Sequence, residues 1–412
     1  MHVAQFAAPV RRQQPQTPQN VQQAHTLLAP SDEIRDFVLA ANVAAQDATQ
    51  DPAASAAPER VVTQLAGSAE SATYLFALCE APPLGEVSEL SYPLISSTDN
   101  PRECGIRGHA WPGGEPNFVG FIHLTLPLLE DTSIAEIECV LDIDLLPLPG
   151  ESADEKTKQV TARLLASAEH IAGQLGRSRA QITVHHPADC PPDADPFYPA
   201  IIDSGYHRHL GHIQAYISAE HATEQTHVAR QQAHNGAENH LTYRLLAWRD
   251  YAIADEYAPQ IRQLLTVASI DVPSGGMELD PIEWTPTRME QAAQRLRARG
   301  GSTLLFALVD KQTDKICALT EIARHYGSDP TVAEWTLTVT ARTRRQQGLA
   351  SHVKFEAIHA AQEIWPSVNR IYGSIPDQPG HMRSLYRSLG AVELSCSSTW
   401  EKRLPSAETA AD

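Results

Sequence analysis

The residues whose types and spacing could do chemistry lie between Ala333 and Ala361, AEWTLTVTARTRRQQGLASHVKFEAIHAA. A strand-like run ends near Thr340, arginines follow at 342, 344 and 345, and then come Gly348 and a long amphipathic helix. The first amides of a helix have no internal partner, and the helix dipole adds roughly half a positive charge there. This order of elements therefore builds a cradle for an anion such as a phosphate. Gly348 would let the backbone come close to that anion, and Ala350 is too small to obstruct it. Charge runs are usually solvated faces, so a plain basic turn is the competing reading of the arginines.

Position by position, Arg345, Gln346, Gln347, Gly348, Leu349 and Ala350 fit Q/R-x-x-G-x-G/A, the pyrophosphate loop of the GNAT superfamily of acyl-CoA-dependent N-acyltransferases. Downstream, HMRSLYRSLGA is similar to the last helix of that family, L-Y-x-x-x-G-F/A, with Tyr386 in the place of its tyrosine. The resemblance covers nearly all of residues 241 to 404. By order of elements alone it extends to residues 31 to 218, a tandem layout like that of mycothiol-synthase-type proteins.

The resemblance implies that the strands Val332–Thr340 and Arg370–Ile375 splay apart around the pantetheine arm of acetyl-CoA or another acyl-CoA. Thr338, Val339 and Thr340 would line that arm, with the amide near Val339 polarising the thioester carbonyl. Arg344, Arg345, Gln346, Gln347, Gly348, Leu349 and Ala350 would hold the diphosphate. Glu334 stands where some members carry a general base, and Tyr386 stands where the general acid sits. The implied reaction is direct transfer of an acyl group to an amine of a small molecule within a ternary complex. His325 is an alternative base. Two departures are present: Pro379 replaces the asparagine common seven residues before the tyrosine, and Gln346 stands where glycine is frequent. Other readings stay open. Glu334 also suits an outward-facing strand position, Tyr386 a packed aromatic, and the whole chain a non-catalytic acyl-CoA-binding scaffold. A transferase fed by aminoacyl-tRNA is disfavoured by the acidic surface.

Hydrophobic periodicity supplies the elements that must position these residues. The expected fold is mixed α+β: two GNAT-like domains, each a mostly antiparallel sheet flanked by helices. The boundaries read as a flexible Gln/Pro/Ala-rich leader over 1–30, a first domain over 31–218, a polar linker over 219–240, a second domain over 241–404 and a tail over 405–412. In the first domain, strands at 118–129 and 134–146 form a hairpin through EDTS, followed by a helix over 153–175. The turn before that helix, LLPLPGESADEK, holds no arginine and places Glu151, Asp154 and Glu155 at the helix start. Those carboxylates cap the helix themselves and repel a diphosphate. The first domain therefore reads as a degenerate copy.

At 412 residues the chain exceeds what one core usually organises. The net charge of -18 opposes general nucleic-acid binding. It is unevenly spread: residues 1–240 carry 13 basic against 30 acidic side chains, residues 241–412 carry 19 against 20. An anionic ligand meets less repulsion in the second half, and the acidic first half favours a cationic amine acceptor. The six cysteines form no CxxC, and His207, His209 and His212 have no matching carboxylate or cysteine spacing, so no metal is expected. Without an apolar run of about 20 residues or a signal-like leader, the expectation is a cytoplasmic monomer or homodimer with no membrane partner.

Overall fold

In the computed structural model the chain is described over residues 1–10, 28–148, 150–219, 242–298, 300–325, 329–378 and 380–405. It divides into two compact units, Met1–His209 with Ser397–Asp412, and Leu210–Cys396. The first half of the sequence runs β1 (His2–Ala7), α1 (Asp32–Thr49), α2 (Pro58–Leu65), β2 (Ser71–Cys79), β3 (Leu84–Gly85), β4 (Leu94–Ser96), β5 (His109–Ala110), β6 (Phe118–Pro127), β7 (Ile134–Leu141), α3 (Glu155–Gln174), β8 (Arg179–Pro187), α4 (Tyr198–Asp203) and β9 (His207–Ser218). The second runs β10 (Tyr243–Arg249), α5 (Ala258–Asp271), α6 (Pro286–Ala298), β11 (Ser302–Asp310), β12 (Lys315–Arg324), β13 (Val332–Thr340), α7 (Leu349–Ile364), β14 (Arg370–Pro376), α8 (His381–Ser388) and β15 (Val392–Arg403). With β3 to β5 set aside as an excursion, both halves follow one order: strand, two helices, three strands, helix, strand, helix, strand.

The strand that opens the first copy is a correction to the expected leader. Residues 2–7 are not a mobile segment; β1 pairs antiparallel with β2, from His2↔Cys79 to Gln5↔Phe76, and parallel with β4. Ala4 and Phe6 are fully buried. Six residues with two large apolar side chains carry little signal alone, and their sheet partners lie 71 to 89 residues away in sequence. Residues 11–27 of the expected leader, residues 220–240 of the linker, residue 241 at the start of the expected second domain and residues 406–412 of the tail lie outside the described residues.

The expected domain limits, 31–218 and 241–404, also change, because the last strand of each half serves the other unit. From Leu210 onward β9 belongs to the second unit, where it pairs antiparallel with β14 from Pro376↔His212 to Arg370↔Ser218. From Ser397 onward β15 belongs to the first unit and lies beside β8. There Gln181 donates to Glu401 at 2.8 Å and Lys402 meets Glu169 at 2.7 Å. Local alternation of apolar residues identifies a strand but does not name its neighbour.

The second unit is built in three layers. On one sheet face α7 buries Leu349, Val353, Ala357, Ile358 and Ala361 against Leu304, Phe306, Leu308, Ala333 and Trp335. On the other, α5 and α6 bring Ile261, Leu264, Leu265 and Met289 onto Leu305, Ala307, Val309 and Leu319. Each Leu, Ile, Val, Phe or Met among them stabilises by about 1.5–3 kcal/mol when fully buried. In the first unit the EDTS hairpin forms as expected, with β6 and β7 antiparallel through Thr125↔Glu136. Among the described residues no helix is long and apolar enough to cross a membrane.

Candidate functional site

The site begins where two parallel strands part. β13 and β14 share only three rungs, Val332↔Arg370, Ala333↔Ile371 and Glu334↔Tyr372. Beyond them β13 continues against β12 up to Thr340↔Ala318, while β14 continues against β9 up to Pro376↔His212. The facing edges of the two strands therefore leave main-chain groups outside any ladder between them, as a fork does.

A bulge in β13 sharpens the fork. The register against β12 steps from Glu321↔Leu337 to Ile322↔Trp335, so Thr336 is an extra residue. An extra residue reverses which side chains face which way. Before the bulge Ala333 and Trp335 pack toward α7, whereas after it Leu337 and Val339 pack toward α5. Thr338 and Thr340 are half-buried, and Thr338 shares a 2.8 Å hydrogen bond with Thr320.

At the far end of β13 the chain makes a single 3-10 turn over Arg342–Arg344 and enters α7 through two left-handed residues, Gln346 (φ 62°) and Gly348 (φ 72°). No side chain caps α7, and a Cβ on Gly348 would meet nothing within 4 Å. Arg345, Gln346, Gln347 and Gly348 are exposed, Arg344 and Ala350 half-buried, and Leu349 buried. The helix mouth is therefore open. Gly348 supplies the positive φ that side-chain-bearing residues resist, and Gln346 accepts the same region without that freedom.

The three arginines do not point unopposed into this mouth. Arg342 and Arg345 both bind Asp271, at the end of α5, the former at 2.6 Å. Arg344 binds Asp310, at the end of β11, at 2.9 Å. Hydrogen bonds from Arg342 and Arg345 pull the Asp271 carboxyl down to about 2. Three cations against two anions leave this turn one positive charge, so the amides of α7 carry more of any anion contact than the sequence suggests.

In the first unit the corresponding helix start is closed. Asp154 caps α3 by accepting from the Thr157 amide at 2.7 Å. The expected self-capping of that helix is what the structure holds.

Tyr386 reaches the base of the fork from α8. It is 2% exposed, and a Cβ added to Gly373, the first β14 residue past the shared rungs, would run into its ring carbons at 2.9 Å. Burial raises its hydroxyl pKa. Beside it lies Lys354 of α7, 1% exposed, with Nζ 3.3 Å from the Tyr386 oxygen and 3.7 Å above the Trp335 ring centroid. Burial holds this lysine well below its ordinary pKa. Sequence reading missed Lys354, although its position was a signal: it sits four residues after Ala350 and four before Ile358, on the apolar stripe of the helix.

Glu334 stands at the last shared rung, half-exposed, with His325 Nε2 3.3 Å from its carboxylate. Paired residues of an antiparallel ladder share a face, and Glu334 pairs with Ala323, so its side chain is on the side opposite Trp335 and Tyr386. The structure thus places Glu334 with His325 on one face of β13 and Tyr386 with Lys354 on the other. Glu321, two residues before Ala323 on Glu334's face, was also missed. It is 4% exposed and accepts from Thr336 at 2.6 Å. Burial raises its pKa. A lone carboxylate inside a run of eight buried residues, Ile316–Ala323, was its signal. Pro379 lies outside the described residues.

No family model matches the chain. No curated protein sequence matches it either. Solved structures do. A tandem GNAT protein from the clavulanic acid biosynthesis pathway is similar over 92% of this chain and 97% of its own, with a TM-score of 0.59 at 17% identity. A GCN5-related N-acetyltransferase from Sphaerobacter thermophilus is similar over 91% and 95%, with a TM-score of 0.50 at 11% identity. The chain has the tandem GNAT fold, a mixed α/β architecture with largely antiparallel sheets.

Proposed function

We propose that the second unit is an N-acyltransferase that moves an acetyl or other acyl group from acyl-CoA to a small amine. The observation that carries this reading is the junction of two features on one strand. β13 parts from β14 after three rungs, and the same strand leads, within ten residues of Thr340, into an uncapped, open helix start at Gly348. An extended arm fits the first feature and a diphosphate the second.

The residues fit acyl-CoA as follows. The amides of Leu349 and Ala350, with Gly348, take the diphosphate, and Arg344 and Arg345 add what positive charge Asp310 and Asp271 leave. Gln346 and Gln347 line the entrance, and Thr338 to Thr340 take the pantetheine arm. Acyl-CoA supplies an electrophilic thioester carbon. The amide near Val339 stabilises charge on the carbonyl oxygen. Glu334, hydrogen-bonded to His325, draws the proton from the incoming amine, directly or through water. Tyr386 gives its proton to the departing sulfur from the opposite face of the strand. The amine adds to one face of the thioester carbonyl and the sulfur leaves from the resulting tetrahedral adduct, so the base and the acid act at different positions around one carbon.

The first unit serves as scaffold, since Asp154 caps its helix start. Its excess of acidic side chains favours a cationic acceptor by electrostatic steering. The test is thiol release on mixing the protein with acetyl-CoA and a panel of small amines. Release dependent on one amine class supports the reading. Tight acyl-CoA binding with no release from any amine supports the scaffold alternative instead.

A further inference from the structure

The side chains that meet at the base of the fork include one that the acyl-transfer scheme leaves unused. Lys354 is a buried amine on a helix whose other inward residues are Leu349, Val353, Ala357, Ile358 and Ala361. Its Nζ donates to the Tyr386 hydroxyl oxygen at 3.3 Å and lies over two aromatic rings, 3.7 Å from the Trp335 centroid and 4.8 Å from that of Tyr386. A lysine loses its hydration on burial and gains little from packing that a methionine would not match. Its presence here, and its aim at one oxygen, call for a role. Trp335 reinforces the pattern, because its indole N–H is buried at the same spot without a hydrogen-bond partner.

We propose that Lys354 is a positioning residue for Tyr386: its N–H occupies a lone pair of the phenol oxygen, which turns the phenolic O–H toward the opening between β13 and β14. The inference rests on the acyl-transfer reading. A phenol oxygen offers one hydrogen and two lone pairs. With one lone pair taken by an N–H of Lys354, which in its ammonium form offers no acceptor, the hydrogen is directed away from α7. In the transfer the acceptor nitrogen bonds to the acyl carbon as the carbon–sulfur bond breaks, and the sulfur takes the Tyr386 proton. Lys354 then donates to the charged phenolate oxygen, where a hydrogen bond is stronger than to the neutral group. Glu334 takes the proton shed by the nitrogen and releases it to solvent, and the phenolate regains a proton from solvent, so amine and thioester become amide and thiol. The groups facing Lys354 are Tyr386 from α8 and Trp335 from β13, and Tyr386 is the titratable one of the two.

The test is a double-mutant cycle on kcat for thiol release, with acyl-CoA affinity measured separately. Lys354→Met keeps the volume and removes the donor, and should lower kcat about tenfold to a hundredfold with affinity unchanged. Lys354→Gln, which retains an N–H donor, should recover most of that loss. In a Tyr386→Phe background, Lys354→Met should cost nothing further, because there is no phenol left to position. An active wild type whose Lys354→Met variant is unaffected, or equally affected in both backgrounds, overturns this assignment alone. A wild type that releases no thiol overturns the acyl-transfer reading and this assignment together.

Discussion

Tyr386 closes against Gly373 so tightly that the strand has room there for a hydrogen and nothing larger. This contact sets the tyrosine at the first position beyond the last shared rung of β13 and β14. Gly373→Ala should therefore destabilise the second unit by about 1–3 kcal/mol, the usual cost of overpacking a filled core. The same change in a Tyr386→Ala background should be neutral or stabilising, since alanine otherwise favours a strand over glycine. Denaturant midpoints of the four proteins settle it, and equal losses in both backgrounds would refute the contact as the cause.

Asp271 competes with any phosphate for two arginines. Asp271→Asn should weaken its hold on Arg342 and Arg345 and tighten acyl-CoA binding several-fold at low salt, with the gain fading as salt screens the loop. Because the carboxyl titrates near 2, the wild-type pairs persist across the ordinary pH range. Titration calorimetry at two ionic strengths reads the effect; weaker binding by the variant would mean that Asp271 holds the loop in its binding shape.

The two helix starts should respond in opposite ways. Asp154→Ala removes the cap of α3 and should lower the unfolding midpoint while leaving acyl-CoA affinity unaltered. Gly348→Val puts a branched side chain at φ 72° and should abolish acyl-CoA binding. If Asp154→Ala changed affinity and Gly348→Val did not, the occupied unit would be the first one.

Glu321 makes a prediction for pH. Its folded pKa is raised by burial, so its contribution to stability is fully present below the unfolded carboxylate value and declines as pH rises through the folded value. Glu321→Gln should flatten that decline and be the more stable protein at neutral pH. Unfolding free energies measured from about pH 4 to 8 provide the comparison, and parallel curves for the two proteins would sink it.

Much of the site was legible because it depends on short segments. Gly348 after an arginine-bearing turn, at the start of an amphipathic helix, announces an open helix mouth through local geometry alone. The same locality made Asp154 readable as the cap of α3. Lys354 and Glu321 left weaker marks, each a charge on an otherwise apolar stripe. Such a mark identifies a buried ionisable group without naming its partner.

Sequence by itself determined, in each half, the order of the elements from the central strands onward and which helix start is open, because those follow from periodicity and from the few residues beside each turn; it did not supply the opening strands β1 and β10 or helix α2. Tertiary structure alone decided the rest. It pairs β1 with strands far along the chain, gives β9 and β15 to the opposite units, sets Asp271 against Arg342 and Arg345, and brings Lys354 to Tyr386. The physical reason is shared by all four. A strand edge or a guanidinium accepts many partners equally well, and the choice among them is made only when the whole core closes.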